Sequence, residues 1–575
     1  MPTSLSAADR LKAESAASES SVPKSAPVAT RTEWGLAALG GVLLWASFPP
    51  IGFWPMAWVA LVPWLWLIRR GFSFARPNRL LFVAGYVTWL ALVQWVRLPH
   101  PAAYLGWVAL CLPLAVYTMA FFWLTHIAVH QWRWPIWLAG PVVWCGIESL
   151  RAWLFTGFAM MLFGHTQANV PLLIQISDFG GPHAVSFVLV MFAGFVTWAL
   201  PTKSHPEKEV RKTRRLLGPL LGIALLALVA GYGAQRIKNN RSVDGSARVA
   251  LVQGSIDTTF TAADKSEASF AEYLALAQHA SLGENGERPD LVVWPETMFG
   301  GDLANITADS NYATPDRSHF IEPVSEAEYR GWLESRQDAF KKRMVTVASE
   351  FDVPQLIGVL TYHLGTTEQR RYNTALWIDR AGEVQTRYDK IHPVMFGEYV
   401  PFGELVPAIY KLTPLSNGLT RGDGPKVVRA GDLNFSPSIC FENSVPHLIR
   451  KHVHELEDGG TPVHGLITMT NDGWFWGSSL LDVHLACGVF RAVENRRPML
   501  IAANTGFSAY IDQFGDVVKK GPRRDSEVLF ANVAHNSSLK SIYSWLGDWL
   551  GLSCSGVCVL LVADGWRRRR AATRN

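Results

Sequence analysis

Eight stretches of this chain are apolar over lengths close to what a membrane crossing requires, at approximately 32–50, 51–68, 80–97, 102–128, 134–150, 182–200, 216–234 and 541–563. A helix needs about 20 apolar residues to cross the hydrocarbon layer, and inside it every backbone donor and acceptor must be satisfied by the segment itself. The pattern predicts a polytopic helical bundle of about eight spans. Residues 1–31 are Ser/Ala-rich with scattered charges and read as a disordered tail. A cleaved signal peptide is not expected, because the first apolar run starts far in and is followed at once by another.

Basic residues orient the bundle. Arg69, Arg70, Arg76 and Arg79 lie between the second and third stretches, and Arg133 between the fourth and fifth. Lys203, Lys208, Arg211, Lys212, Arg214 and Arg215 lie between the sixth and seventh, and Arg567, Arg568, Arg569 and Arg570 follow the eighth. If the spans alternate, all of these share one side, and the intervening loops hold only Arg97 and Arg151. The positive-inside rule makes the basic side cytoplasmic. The chain then divides into a cytoplasmic tail (1–31), a seven-span membrane domain (32–234), an extracytoplasmic domain (235–540), and a last span with a basic cytoplasmic tail (541–575). The net charge of +5 clusters beside apolar segments, which argues against a nucleic-acid partner.

Between 246 and 538 the composition is that of an ordinary globular domain. Strands are predicted at 248–253, 291–294, 356–360, 374–378, 433–440, 465–470, 499–504 and 528–533, with helices at 264–281, 325–350, 444–455 and 480–495. Short apolar strands alternating with helices indicate a layered α/β domain. The stretch 300–322 has no clear period and reads as a loop or insertion.

Cys440 is the residue with the most chemistry to offer. It sits in Pro-Ser-Ile-Cys-Phe-Glu (437–442), and upstream lie Trp-Pro-Glu (294–296) and Tyr-Asp-Lys (388–390). A thiol of pKa about 8.5 needs a base or a positive neighbour to react. Glu296 can take the proton, Lys390 can favour the thiolate and an oxyanion, and the Phe441 backbone N–H is a second oxyanion donor. Singly, Glu296 also reads as a strand-end surface carboxylate and Lys390 as a solvated loop lysine. Cys111, Cys145, Cys487, Cys554 and Cys558 read as small buried hydrophobes. No Cys/His spacing suits zinc: His392, His454, His464 and His484 have no cysteine at ligand spacing.

Together the strings Val-Val-Trp-Pro-Glu (292–296), Tyr-Asp-Lys-Ile-His-Pro-Val (388–394), Phe-Gly-Glu-Tyr-Val-Pro (396–401), Ser-Ile-Cys-Phe-Glu (438–442) and Thr-Asn-Asp-Gly-Trp-Phe (470–475) run in the order of the nitrilase, or carbon–nitrogen hydrolase, superfamily. With the membrane spans added, the chain resembles the bacterial apolipoprotein N-acyltransferase family over nearly its whole length. The resemblance implies an αββα nitrilase-like domain carrying a Glu296–Lys390–Cys440 triad, with Glu398, Phe441 and Glu442 in support. Glu398 would hold the lysine or relay the proton, and Glu442 would orient the active-site loop. It further implies a multi-pass inner-membrane protein, acting as a monomer without metal or cofactor, whose catalytic domain lies on the periplasmic side.

The implied reaction moves an acyl chain from a membrane phospholipid to Cys440 as a thioester. The chain then passes to the α-amine of the diacylglyceryl-cysteine of an apolipoprotein. Two departures from the family pattern stand out: Phe441 replaces the usual tyrosine, and Trp476 is an extra residue in Trp474-Phe475-Trp476-Gly477. A membrane-tethered amidase or nitrilase-type hydrolase would use the same triad but leaves seven preceding spans unexplained. A transporter or sensor would need ionisable groups near span centres, whereas His126 and Glu148 lie toward ends.

Overall fold

In the computed structural model eight helical segments overlap the eight apolar stretches. They are Arg31–Ser47, a broken run from Trp54–Met56 to Val62–Arg70, Pro77–Leu92, Ala103–His130, Ile136–Trp153, Pro182–Ala199, Lys208–Lys238 and Trp549–Ala572. Four of these are long and apolar enough to cross a membrane: Ala103–His130, Pro182–Ala199, Thr213–Lys238 and Trp549–Ala571. The structure describes residues 29–72, 77–154, 157–201, 208–238, 245–258, 266–312, 325–401, 403 and 418–572. Most of the expected tail 1–31, Arg76, Lys203 and residues 313–322 lie outside the described residues, as do the side chains of Lys208, Arg211 and Lys212.

The bundle is built inside out relative to a water-soluble protein. Leu216, Leu220, Ile223 and Leu228 on one helix, and Val559, Leu560 and Val562 on another, are exposed, whereas Glu148, Ser149, Arg151, Gln167, His183 and Ser186 are buried. Small residues let the helices approach closely, as membrane helices require. A Cβ on Gly146 would stand 2.6 Å from the Cys554 carbonyl oxygen, and the Ser555 hydroxyl donates to the Gly146 carbonyl at 2.9 Å. The last helix begins later than the expected span 541–563. Ile542–Leu546 is a separate short helix closed by Gly547 at φ 65°, and Arg450 donates to the carbonyls of Tyr543, Ser544 and Trp545 at its end. Arg567–Arg570 therefore lie on the final helix rather than beyond it.

The α/β domain is a sandwich of two sheets. Its strands are β1 (Gly245–Gln253), β2 (Leu291–Val293), β3 (Asn305–Ala308), β4 (Gln355–Leu364), β5 (Gln369–Ile378), β6 (Val384–Asp389), β7 (Val428–Ala430), β8 (Leu433–Ile439), β9 (Gly465–Asn471), β10 (Met499–Asn504), β11 (Ala509–Ile511), β12 (Val517–Lys520) and β13 (Glu527–His535). One sheet runs β13-β1-β2-β4-β5-β6 with β3 also on β4, and the other runs β12-β11-β10-β9-β8-β7. Within them β1, β2 and β4 are parallel neighbours, as are β8, β9 and β10.

Period-two alternation sorts the side chains. Val249 and Leu251 of β1 meet Ile467, Met469, Leu500 and Ala502 of the other sheet, while Ala250 and Val252 face the helices Ser266–Leu282 and Glu326–Phe351. On the far face Met499, Ile501 and Ala503 join Val489, Phe490 and Val493 of the helix Leu480–Asn495 in one apolar cluster shared with the membrane helices. The layering is the expected αββα, with the second helix layer seated on the bundle. Part of 300–322, expected as loop, is strand: β3 pairs in parallel with β4 from Asn305↔Thr361 to Ala308↔Leu364. Four residues are too few to show a period.

Candidate active site

Three strand ends converge between the sheets. β2 runs into Trp294-Pro295-Glu296, and this loop crosses β4 so tightly that a Cβ on Gly358 would sit 2.3 Å from the Pro295 carbonyl oxygen. β6 ends at Asp389, and the Lys390 amide donates to the Asn373 carbonyl of β5 at 2.8 Å. β8 ends at Ile439, and Cys440 turns the chain into the 3₁₀ segment Cys440–Ser444 with φ of 54°. That left-handed conformation is costly for a residue with a Cβ and marks functional turns.

The side chains meet as the strand ends do. Lys390 Nζ lies 3.6 Å from Glu296 Oε1 and 2.7 Å from Glu398 Oε1, and Lys390 and Glu296 are buried. Glu296 accepts from Asn373 Nδ2 at 2.6 Å and from the Asn471 amide at 2.8 Å, so both oxygens are held. Glu398 accepts from the Val394 amide at 2.7 Å, fixing the loop that brings it to the lysine. Cys440 is half-buried, next to this group.

Burial sets the charges. It pushes the Glu296 carboxyl above its ordinary range, Lys390 opposes this, and Glu398 adds to it. Burial opposes the Lys390 ammonium, but Glu398 and Glu296 outweigh it and hold the lysine charged. Burial and then Glu296 raise the Cys440 thiol, with Lys390 pulling the other way. The site thus sets a thiol and a carboxyl, both with raised pKa, beside a fixed cation. That set can ionise a thiol during attack and stabilise an oxyanion.

Glu442 touches neither lysine nor thiol by hydrogen bond. Its Oε1 accepts from the amides of Ile391 at 2.7 Å and His392 at 2.9 Å, and its Oε2 from the Tyr388 hydroxyl and the Ile439 amide, both at 2.7 Å. It ties the segment around Lys390 to the segment around Cys440. Phe441 stacks on His392 at 5.9 Å between ring centroids. Its amide lies in the first turn of a helix, where N–H groups have no intrahelical acceptor. Trp476 is half-exposed at φ 50°, and its carbonyl accepts from Arg524 at 2.8 Å. Phe475 packs edge-on against Trp95 of the helical bundle at 5.7 Å, which brings this loop against the bundle.

Asn373, Asn471, Asp472 and His484 complete the surroundings, and none of them is among the site residues the sequence points to. Asn471 and Asp472 lie within a motif string, but Asn373 and His484 carry no sequence signal beyond polarity amid apolar neighbours. Cys487 is buried on the helix core side, and Cys111, Cys145, Cys554 and Cys558 are buried in the bundle. Among the described residues no group of three or more His, Cys, Asp or Glu could hold a metal ion.

Comparison with known proteins places both halves. Residues 248–539 match the carbon–nitrogen hydrolase family, and residues 40–195 match the apolipoprotein N-acyltransferase N-terminal domain. A Rhodopirellula baltica protein named apolipoprotein N-acyltransferase is 32% identical over 541 residues, covering 88% of this chain and 92% of its own. One of the same name from Geobacter metallireducens is 29% identical, covering 94% and 96%. Among solved structures, Saccharomyces cerevisiae Nit3 of the nitrilase superfamily aligns with 53% of this chain and 95% of its own, at 16% identity and a TM-score of 0.34.

Proposed function

Because this chain belongs to the apolipoprotein N-acyltransferase family of carbon–nitrogen hydrolases, we propose that it acylates the α-amine of lipoprotein N-termini through a thioester on Cys440, with a membrane phospholipid as donor. The observation that carries the reading is the buried Lys390, in contact with Glu296 and Glu398 and beside the Cys440 turn.

In the first half-reaction Glu296 takes the thiol proton as Cys440 Sγ bonds to the ester carbonyl carbon. The developing oxyanion is met by the Lys390 ammonium and the Phe441 N–H. Collapse breaks the ester C–O bond, and the proton on Glu296 passes to the departing lysophospholipid oxygen. In the second half-reaction the α-amine of a diacylglyceryl-cysteine attacks the thioester, Glu296 receives an amine proton, and the C–S bond breaks. The proton returns to the thiol. Ester, thioester and amide follow one another without an external energy source, and Glu398 keeps Lys390 charged and in place throughout.

The same reading takes all eight helical segments as spans, with cytoplasmic termini and a periplasmic catalytic domain. Its support is the one-sided clustering of basic residues and the exposed tryptophans beside the sandwich, Trp153 stacked on His447 and Trp545 whose carbonyl accepts from Arg450. The test is mass spectrometry of the full chain incubated with phospholipid. A mass increment of one acyl chain on Cys440, discharged by a diacylglyceryl-cysteine peptide, is expected. A thioester that hydrolyses rapidly whether or not the amine is present would instead identify a membrane-tethered hydrolase.

A further inference from the structure

Behind the nucleophile lies a buried pair that the triad does not use. His484, on the helix Leu480–Asn495, places Nδ1 3.1 Å from Asp472 Oδ1 and Nε2 3.0 Å from the carbonyl oxygen of Cys440. Both side chains are buried, and Asp472 also accepts from the Thr470 hydroxyl at 3.0 Å. A carbonyl oxygen can only accept, so Nε2 carries a proton and donates to Cys440, while, against its burial, Asp472 and that carbonyl raise the His484 pKa. The ring, held against Asp472, grips the backbone of the one residue in the site that is both nucleophile and left-handed in φ.

We propose that His484, oriented by Asp472, is a positioning residue that clamps the Cys440 carbonyl and so holds the left-handed turn keeping the thiol beside Glu296 and Lys390. This rests on Cys440 being the nucleophile. Without the clamp the peptide can relax toward an ordinary extended or right-handed conformation, which turns Cβ and Sγ away from the base. The KM for lipid should be unaffected, because His484 is buried behind the reacting atoms. Misplacement of a reacting group by about 1 Å costs on the order of 10²-fold in rate.

The experiment uses the full chain in detergent with phosphatidylethanolamine or phosphatidylglycerol carrying labelled palmitoyl chains. Acyl-enzyme formation at Cys440 is followed by mass spectrometry, per folded molecule, against lipid concentration. His484→Leu should form acyl-enzyme about 10²-fold more slowly at unchanged KM and alkylate with iodoacetamide correspondingly slowly. His484→Gln, whose amide nitrogen can occupy the Nε2 position, should recover most of the rate; His484→Asn, whose shorter amide cannot, should not. If His484→Leu does not fold, the Gln/Asn contrast decides. Equal rates for Gln and Asn, a wild-type rate in folded His484→Leu, or a change in KM alone overturns the assignment. No adduct on Cys440 of the unaltered chain would instead overturn the nucleophile itself, and the clamp with it.

Discussion

Replacing Glu442 by Gln should damage the protein through the backbone it holds rather than through the reaction. Its two carboxylate oxygens accept four hydrogen bonds, from Tyr388, Ile391, His392 and Ile439, at 2.7–2.9 Å. Four donors require the ionised form, since a protonated oxygen would point a hydrogen at one of them; burial raises this carboxyl's pKa and the donors hold it down. A glutamine keeps one acceptor oxygen and turns an NH₂ toward two of the donors. Hydrogen bonds to a charged group contribute about 1.5–3 kcal/mol each, so two lost bonds amount to about 3–6 kcal/mol. That is a large share of the roughly 5–15 kcal/mol that stabilises a domain, and a fall in melting temperature on the order of 10 °C follows.

The loss should be felt equally in both half-reactions, because the two anchored segments carry Lys390 and Cys440, which serve both. The assay is thermal melting in detergent alongside single-turnover formation and discharge of the acyl-enzyme. A Glu442→Gln protein that melts with the unaltered chain refutes the reasoning. Unchanged melting with lost activity would show Glu442 in the chemistry itself.

Glu296→Gln should slow both acylation and discharge by about 10²–10⁴-fold, the usual worth of a general base, as read by single-turnover kinetics. Since burial raises the Glu296 pKa and the carboxyl must be ionised to accept the thiol proton, the rate should fall as pH drops through a limb above the ordinary glutamate value of about 4.3; Glu296→Gln should lack that limb. Lys390→Met should slow iodoacetamide labelling of Cys440 at fixed pH, because the charge opposing the rise of the thiol pKa is gone. Reporter fusions after residues 240 and 570 should report opposite sides of the membrane, and the same side at both would sink the eight-span arrangement.

Sequence patterning carried far where a local rule applies. The helix Leu480–Asn495 and strand β10 fall on their expected boundaries because each is long or apolar enough to show its period. The strands without such a signal are β3, β6, β7, β11 and β12. β12 is exposed throughout and β7 and β11 are three residues each, so their existence depends on a neighbour's edge, which no local pattern records. The site divides similarly. Glu296, Lys390 and Cys440 sit in recognisable strings, but Asn373 enters only because β5 runs beside the end of β6, and His484 only because its helix passes beneath the Cys440 turn.

That helix also ties the site to the helical bundle. Its inner face packs on β10, its outer residues share the apolar cluster of the bundle, and His484 reaches the nucleophile's carbonyl. At its end Arg496, in the left-handed conformation, donates to Gln175 at 2.6 Å and pairs with Asp178, which also binds Arg236 at 2.7 Å and the Tyr232 hydroxyl at 2.6 Å. A buried ion pair of this kind adds little net stability, yet breaking it strands a charge, so its effect is to fix one docking register. Together with Phe475 on Trp95 and Trp153 on His447, this pair fixes how the sandwich sits on the bundle. Arg496→Met should loosen that register, leaving iodoacetamide labelling of Cys440 near normal while acylation from bilayer phospholipid falls. Equal loss of both reactions would show that Arg496 supports the sandwich alone and not its seating on the membrane helices.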